Sequence, residues 1–563
     1  MNTQLPVLAP APAPTSPIRP QLVAEHAPLR VSVDNNRCHI YGICQQEAPE
    51  VFRISEGGSL HYTGNVPAPL AAQARQAARC CPMQAIELRG AGAGRPLPAR
   101  PAPAGPSPVR PLPGRPASAR RPGRASVGDG AGSAGTSADR IVVAGAGLAG
   151  LSAAARLRER GFDGELVLVG EELHRPYSRP PLSKQFLAGE LGGEDLSFHA
   201  EDDTLDAHWL LGSHLVGLDP AAKAVLLRGG ERLRYDGLVI ATGVDAKRLP
   251  ETPVISDRIR TLRTLEDAVA IQQAMHAARF HHVLILGGGF VGCELACTAR
   301  EHGMDVTLVA HGAPLLRRVL GNRLGEVVGR IQQRAGVDVR LNTRITDWID
   351  TGDGLLLRLD DGESVEVDLV VLGLGGLPRT DWLSGSGLDI TDGVRCAPTC
   401  HALNLAGRPV PGIVAAGDVA SWPNIRFDAV PRRVEHLIHA VEMGQHAADS
   451  LLHGPVDAQP FAPVPRFWSE QHGMRLQAVG IPALGERMEI VEGSLRSERF
   501  VAAYHRDTPQ GAQLVAAVAF DMPRELLAYR DRIGLVHPHL PATRFSHTAH
   551  TAHPRPLGRR KHR

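Results

Sequence analysis

The apolar positions change period along the chain. Between residues 29 and 89 they are short and mixed, with an alternating run Leu29–Val33, a helical period around Ala71–Ala78 and a closing run Ala85–Leu88. From residue 139 the signal becomes compact apolar runs that end in glycine. Ile141–Ala144 leads into Gly145-x-Gly147-x-x-Gly150, Val283–Leu286 leads into Gly287-x-Gly289-x-x-Gly292, and both pass into segments of helical period. Strand, glycine loop and helix in that order predict a mononucleotide-binding unit, and the unit occurs twice. Further strands are expected at Glu165–Val169, Val306–Val309 and Gly412–Ala416. Beyond Phe461 short strand-like runs return, among them Leu476–Val479 and Gln513–Phe520.

Three segments lack any apolar period and mark the boundaries. Residues 1–28 carry Ala-Pro-Ala-Pro-Thr-Ser-Pro, residues 90–138 are almost entirely Pro, Ala, Gly, Ser and Arg, and residues 546–563 are rich in His and Arg. Such compositions cannot bury enough surface to fold, so a disordered tail, a linker and a solvated basic tail are expected. As a flexible coil the linker spans on the order of 40 Å. The folded parts then run 29–89, 139–254, 255–378, 379–460 and 461–545, the third interrupting a unit formed by its two neighbours.

Charge adds little. Lys+Arg 61 against Asp+Glu 59 leaves no global field to select nucleic acid or a membrane surface as partner. No run approaches the roughly 20 apolar residues of a spanning helix, and a soluble, cytoplasmic protein is expected. Cysteine is more informative. Cys38, Cys44, Cys80 and Cys81 cluster in the first ninety residues, whereas Cys293, Cys297, Cys396 and Cys400 read as small buried hydrophobes.

Cys38-x5-Cys44 with a remote Cys81-Pro82 is the spacing of a bacterial ferredoxin loop, C-x2-C-x2-C with C-P, in which position 41 is Tyr and not the second cysteine. With Val33-Asp34, Gly42, Ala48-Pro-Glu-Val-Phe52 and Gln84-Ala-Ile86, residues 29–89 resemble the single-cluster ferredoxins that accompany bacterial oxygenases. The resemblance implies a 3Fe-4S cluster on Cys38, Cys44 and Cys81, with a labile 4Fe-4S form as the alternative. Cys80 is expected to be a bystander that could replace Cys81.

After the first glycine loop, Glu165–Val169 ends at Gly170-Glu171-Glu172. An acid about 20 residues past the loop suits a ribose hydroxyl, with Glu172 the first choice and Glu171 the second. Arg175-Pro-Tyr-Ser-Arg-Pro-Pro-Leu-Ser-Lys184 follows. That stretch, with Ala241-Thr-Gly243, Thr261-Leu-Arg263, Gly287–Glu294, Gly373-Leu-Gly375, Ala416-Gly-Asp-Val-Ala420 and Phe467-Trp-Ser-Glu-Gln471, resembles the FAD-dependent ferredoxin reductases of bacterial oxygenases, relatives of the putidaredoxin and rubredoxin reductases. The resemblance implies FAD pyrophosphate at Gly145, Gly147 and Gly150, and flavin contacts from Arg179 and Lys184, the latter near the reactive edge. It also implies Asp418 at the ribityl chain or adjoining phosphate and Trp468 beside the ring. Disulfide reductases of this architecture carry a cysteine pair beside the flavin. Here no Cys stands between Cys81 and Cys293, so electrons are expected to leave the flavin directly.

NAD(P)H is expected at Gly287, Gly289 and Gly292, with Glu294 at the nicotinamide end. Related NADH enzymes place a glutamate where Ala310 stands; an acid there accepts the 2′-hydroxyl and repels the phosphate of NADPH. No Arg follows that strand directly, His311 is a weak substitute and Arg317 and Arg318 are distant, which tilts the expectation to NADH. The implied fold is multidomain: an α+β ferredoxin-like iron–sulfur domain, a disordered linker, two α/β Rossmann-like domains of the pyridine nucleotide-disulfide reductase type and a C-terminal α+β interface domain. The implied activity is NAD(P)H:ferredoxin oxidoreductase. Electrons would pass from NAD(P)H through FAD to the cluster and on to an oxygenase, a cytochrome P-450-type enzyme before others. Lys184, Glu294 and Trp468 are the catalytic candidates. A reductase of separate ferredoxins or of a Rieske-type oxygenase, and a low-turnover redox sensor binding partners through basic tails, are the alternatives.

Overall fold

Two parallel sheets carry the two glycine loops, and each loop leaves its sheet where the strand order reverses. In the computed structural model, which describes residues 29–55, 57–90, 140–198, 205–249, 256–277 and 281–537, the first sheet runs His401–Leu403, Pro409–Ala415, Gly237–Ile240, Arg140–Ala144, Glu165–Val169, His208–Leu210. All neighbours are parallel except the first pair. Arg140–Ala144 lies between Gly237–Ile240 and Glu165–Val169, so the next helix starts over a crevice at the strand ends. The second sheet, all parallel, repeats this with His282–Leu286 between Leu369–Leu372 and Asp305–Ala310. The N-terminal tail, all of the linker but its first residue and the basic C-terminal tail lie outside the described residues.

The central strands are buried on both faces, which is why they read as unbroken apolar runs. Ile141, Leu166, Leu168 and Leu238 are among the largest fully buried side chains, each worth about 1.5–3 kcal/mol. Helix Leu148–Glu159 covers this sheet and crosses helix Leu437–Asp457 closely: a Cβ on Gly444 would stand 2.4 Å from the Ala149 carbonyl oxygen.

The C-terminal sheet is antiparallel, ordered Arg466–Gln471, Met474–Gly480, Gly511–Phe520, Arg499–Thr508, Arg487–Ser494. The runs expected to be short are strands of up to 10 residues, buried at consecutive positions in a core shared with the second parallel sheet. Tyr504 donates a 2.7 Å hydrogen bond to the Leu320 carbonyl across that junction.

The first folded segment is small. Leu29–Val33 pairs antiparallel with Ile86–Gly90 and Asn65–Val66, and helix Ala71–Arg79 packs Ala71, Ala74 and Ala77 on them. The five-residue helix Ile43–Glu47 follows Cys38–Tyr41 and turns its buried Ile43 to the reductase portion. Cys293, Cys297, Cys396 and Cys400 are buried free thiols, as their apolar surroundings in the sequence suggest. Among the described residues no helix is long and apolar enough to cross a membrane.

Candidate functional site

One cavity of ≈ 780 Å³ joins most of the residues that the motifs single out, a volume suited to a cofactor. Its walls include Gly145 and Gly147, Glu172, Arg179, Lys184, Glu294, Asp418 and Trp468. Gly150, Gly287, Gly289 and Gly292 are not on its wall; the second loop reaches it through Phe290, Val291 and Glu294, in the first turns of its helix.

The two loops share a geometry that only glycine allows. Gly145 has φ 120°, and a Cβ there would lie 2.1 Å from the Ala241 carbonyl oxygen; Gly287 has φ 131° and a clash at 2.2 Å with Gly373. A Cβ on Gly150 or Gly292 would meet the first glycine's own carbonyl at 2.0 Å. Beside Gly147 and Gly289 there is open space, where a pyrophosphate can approach the backbone at a helix N-terminus.

The acids and bases of the cavity arrive paired. Arg179 donates to Glu172 at 2.5 Å, to the Tyr177 hydroxyl at 2.9 Å and to the Arg263 carbonyl at 2.7 Å, while Tyr177 donates to Glu172 at 2.6 Å. Glu172, expected at a ribose, thus also anchors Arg179. Glu171 takes His214 at 3.0 Å and Arg379 at 2.5 Å. Burial pushes the Tyr177 phenol well above its ordinary range, so it stays a donor. Asp418 sits in a turn after Pro409–Ala415 and pairs with Arg263 at 3.0 Å.

Deeper in, Lys184 closes the turn Pro180–Ser183 and donates to Glu294 at 2.6 Å. Ser183 donates to the same carboxylate oxygen at 2.6 Å, and Ser469 to the other at 2.7 Å. Glu294 is 6% exposed, so one buried acid ties together three remote segments.

Glu435 and His436 also line the cavity and were not anticipated. Burial, then Asp418, pushes the Glu435 carboxyl up; burial holds His436 down at about 4, and its Nδ1 has no partner among the described residues. The signal in the sequence was a Glu-His pair directly before the apolar helix Leu437–Asp457. An orphaned buried nitrogen, free space over Gly147 and a lysine aimed at the cavity fit a bound flavin dinucleotide, which no polypeptide atom replaces.

Cys38, Cys44 and Cys81 come together. Burial pushes the Cys44 thiol up to about 12, with further contributions from Cys81 and Cys38, so the three sulfurs lie within mutual electrostatic range. Among the described residues no group of three or more His, Cys, Asp or Glu closes around a single ion. The Ala85 amide donates to the Cys81 sulfur at 3.4 Å. Cys80 turns elsewhere. It is fully buried beside Arg466, Glu47 and Glu442, against Tyr41, Ile43, Ile438 and Val441.

The cysteine loop lies on the reductase portion. Tyr41 donates to Glu470 at 2.9 Å, His39 meets the same carboxylate at 3.2 Å, and Arg475 and Gln477 donate to the His39 and Tyr41 carbonyls, each at 2.8 Å. The Tyr41 ring stands 6.2 Å from that of Trp468. Beside it Arg466, 3% exposed, bridges Glu47 and Glu442, and Arg530 donates to the Gln46 carbonyl at 2.6 Å.

At the second loop, Ala310 ends its strand with its methyl under Gly288. Thr343 donates to the Ala310 carbonyl at 3.1 Å, which brings Arg344 to His311, with both nitrogen pairs at 3.0 Å. The cation that the sequence lacks directly after the strand is supplied from the end of the next one. Arg317 and Arg318 instead open helix Arg317–Arg334.

Residues 139–444 match the pyridine nucleotide-disulphide oxidoreductase family, 31–88 the 4Fe-4S single cluster domain and 466–543 the reductase C-terminal domain. The chain is 34% identical over 392 residues to the ferredoxin–NAD(+) reductase component of the p-cumate 2,3-dioxygenase system of Pseudomonas putida, covering 69% of this chain and 92% of that one. It is 31% identical over 395 residues to putidaredoxin reductase of Pseudomonas putida, covering 69% and 90%. Among solved structures, the covalent putidaredoxin reductase–putidaredoxin complex aligns with TM-score 0.64 at 30% identity, over 71% of this chain and 94% of that one. The cavity, its paired glycine loops and these matches agree: the chain belongs to the pyridine nucleotide-disulphide oxidoreductase family, as an FAD- and NAD(P)-dependent oxidoreductase that carries a ferredoxin-type iron–sulfur domain at its front.

Proposed function

We propose that the chain is an NAD(P)H:ferredoxin oxidoreductase that carries its own ferredoxin, passing electrons from NAD(P)H through FAD to the fused cluster and on to an oxygenase. The observation that carries this reading is the seating of the cysteine loop against Trp468, on the wall of the cofactor cavity. Bound flavin supplies the chemistry that the side chains lack, taking an electron pair and releasing it singly. The chain's residues do the rest. Gly145, Gly147 and Gly150 cradle the pyrophosphate, Arg179 and Asp418 orient the cofactor, and Glu172 holds Arg179 in place. Lys184 and Glu294 fix the charge where hydride arrives, Trp468 covers the ring, and Gly287, Gly289 and Gly292 receive the coenzyme. Cys38, Cys44 and Cys81 hold the cluster, as 3Fe-4S because position 41 offers no thiolate. The reading includes action in the cytoplasm, where free thiols persist and NAD(P)H is supplied.

A cytochrome P-450-type monooxygenase is the acceptor in this reading, because single-cluster ferredoxins of this pattern resemble its donors. A second acceptor class has its own support: relatives with 34% and 32% identity are components of biphenyl and benzene dioxygenase systems. The relay is tested with Cys44→Ser. NAD(P)H-dependent reduction of cytochrome c is expected to be lost while ferricyanide reduction survives. Persistence of both activities would refute an internal relay.

A further inference from the structure

Tyr41 occupies the position at which a four-cysteine loop would offer its second ligand, and its side chain is 429 residues away from its hydrogen-bond partner, Glu470. We infer that Tyr41 is a positioning residue: its hydroxyl on Glu470 and its ring beside Trp468 seat the cluster-bearing loop over the rim of the flavin cavity. The loss of a ligand at this position is thereby the gain of a docking contact. The inference deepens the relay reading and rests on it for its kinetic arm only.

Four observations meet at this residue. Tyr41 is 5% exposed although it stands in a surface loop, so the contact is a packed one. Its phenol is the shorter of two bonds to one carboxylate, with His39 at 3.2 Å on the same oxygen. Its carbonyl accepts from Gln477 at 2.8 Å, so both ends of the residue are held by the C-terminal sheet. Glu470 and Trp468 lie on one strand, Arg466–Gln471, and that strand also supplies Ser469 to Glu294. The strand therefore touches the cofactor cavity at Trp468, the buried acid at Ser469 and the cluster loop at Glu470. A cysteine at position 41 is too short to reach Glu470 and lacks a ring to lay near Trp468. Single electrons leave reduced flavin for the oxidised cluster, and Tyr41 is neither oxidised nor deprotonated; it sets the separation.

The test uses the full-length protein loaded with FAD and cluster, as Tyr41→Phe, Tyr41→Ala and, from the opposite side, Glu470→Ala. Amide hydrogen exchange over residues 38–47 reads docking without turnover. Anaerobic mixing with NADH, followed by flavin bleaching and the cluster's spin-resonance signal, reads transfer. Loss of a hydrogen bond to a charged acceptor corresponds to about tenfold. Tyr41→Phe and Glu470→Ala are each expected to speed loop exchange and to slow cluster reduction by about that factor, with Tyr41→Ala worse, flavin bleaching unchanged and the cluster signal intact. Because the two groups act through one bond, Tyr41→Phe should add little in the Glu470→Ala background. Wild-type exchange in Tyr41→Phe and Tyr41→Ala, or fully additive effects of Tyr41→Phe and Glu470→Ala, overturns the inference. If flavin bleaches but the wild-type cluster stays oxidised, the relay reading fails, and loop exchange still decides the docking role.

Discussion

Arg344→Ala should separate the two coenzymes. The guanidinium sits beside His311, one residue past Ala310, where NADH enzymes of this fold carry an acid. With no carboxylate at 310 to repel it, a 2′-phosphate can lie at this strand end and accept from Arg344. A bond between charged partners is worth about 1.5–3 kcal/mol, and the exposure of both residues puts this one at the lower end. At about 1.4 kcal/mol per decade, kcat/KM for NADPH should fall about tenfold. NADH, which has no phosphate to lose, should change by less than about twofold. Ferricyanide reduction is the assay, because it bypasses the cluster, run with each coenzyme at fixed ionic strength. The NADPH effect should shrink toward 1 M salt, where the screening length is about 3 Å. An unchanged NADPH/NADH ratio in Arg344→Ala would refute the assignment, and the tilt to NADH drawn from the lack of an Arg directly after that strand would stand.

Removing Arg466 as Arg466→Met leaves Glu442 buried without an ion-pair partner among the described residues and Glu47 with Arg530 alone at 3.5 Å, which costs about 3–5 kcal/mol; hydrogen exchange in helix Ile43–Glu47 should rise, and Glu442→Gln in the same chain should restore much of the protection. Lys184→Met strands Glu294 in the same way, so the melting temperature should drop, flavin reduction should slow, and Glu294→Gln added to it should recover stability but not rate. Burial holds His439 at about 3 and His436 at about 4 against 6.5 when unfolded, so unfolding takes up protons below pH 6.5. Their neutral forms support the fold above pH 6.5 and this support is lost as pH falls toward 4; His439→Phe, which keeps the stack on Trp422, should flatten the melting temperature between pH 6.5 and 4.

The glycine loops and the parallel strands were legible because each is a local pattern. The unbroken run Ile141–Ala144 is a buried strand wherever it stands, and Gly145 and Gly150 are forced by clashes within a few residues or with the adjacent strand. Arg344 was not legible, because its place depends on Thr343 meeting Ala310 across two strands. Nor was Glu470 as the partner of Tyr41, since no short-range period links residues 41 and 470. The added hairpins Leu215–Asp219 with Ala224–Leu227 and Ile345–Asp350 with Leu355–Leu359 went unread for another reason: in each, one strand is half-exposed and mixes apolar with charged positions, and its mostly buried partner is only four or five residues long.

The chemistry of the interdomain contact suits a carrier that must also leave. A covalent tether holds two domains at an effective concentration on the order of millimolar, so even a weak contact is occupied much of the time. An apolar interface added to that would trap the ferredoxin on its reductase. The contact here is instead built on Arg466 with Glu47 and Glu442, Arg530 with Gln46 and Glu47, and Tyr41 with Glu470, around a small apolar patch at Ile43, Ile438 and Val441. Buried ion pairs repay much of their attraction as desolvation cost, yet punish any wrong partner that leaves one charge unpaired. Such an interface selects one pose without great affinity. The pose puts Tyr41 at Trp468, and in the proposed relay the same loop must then be released to the acceptor.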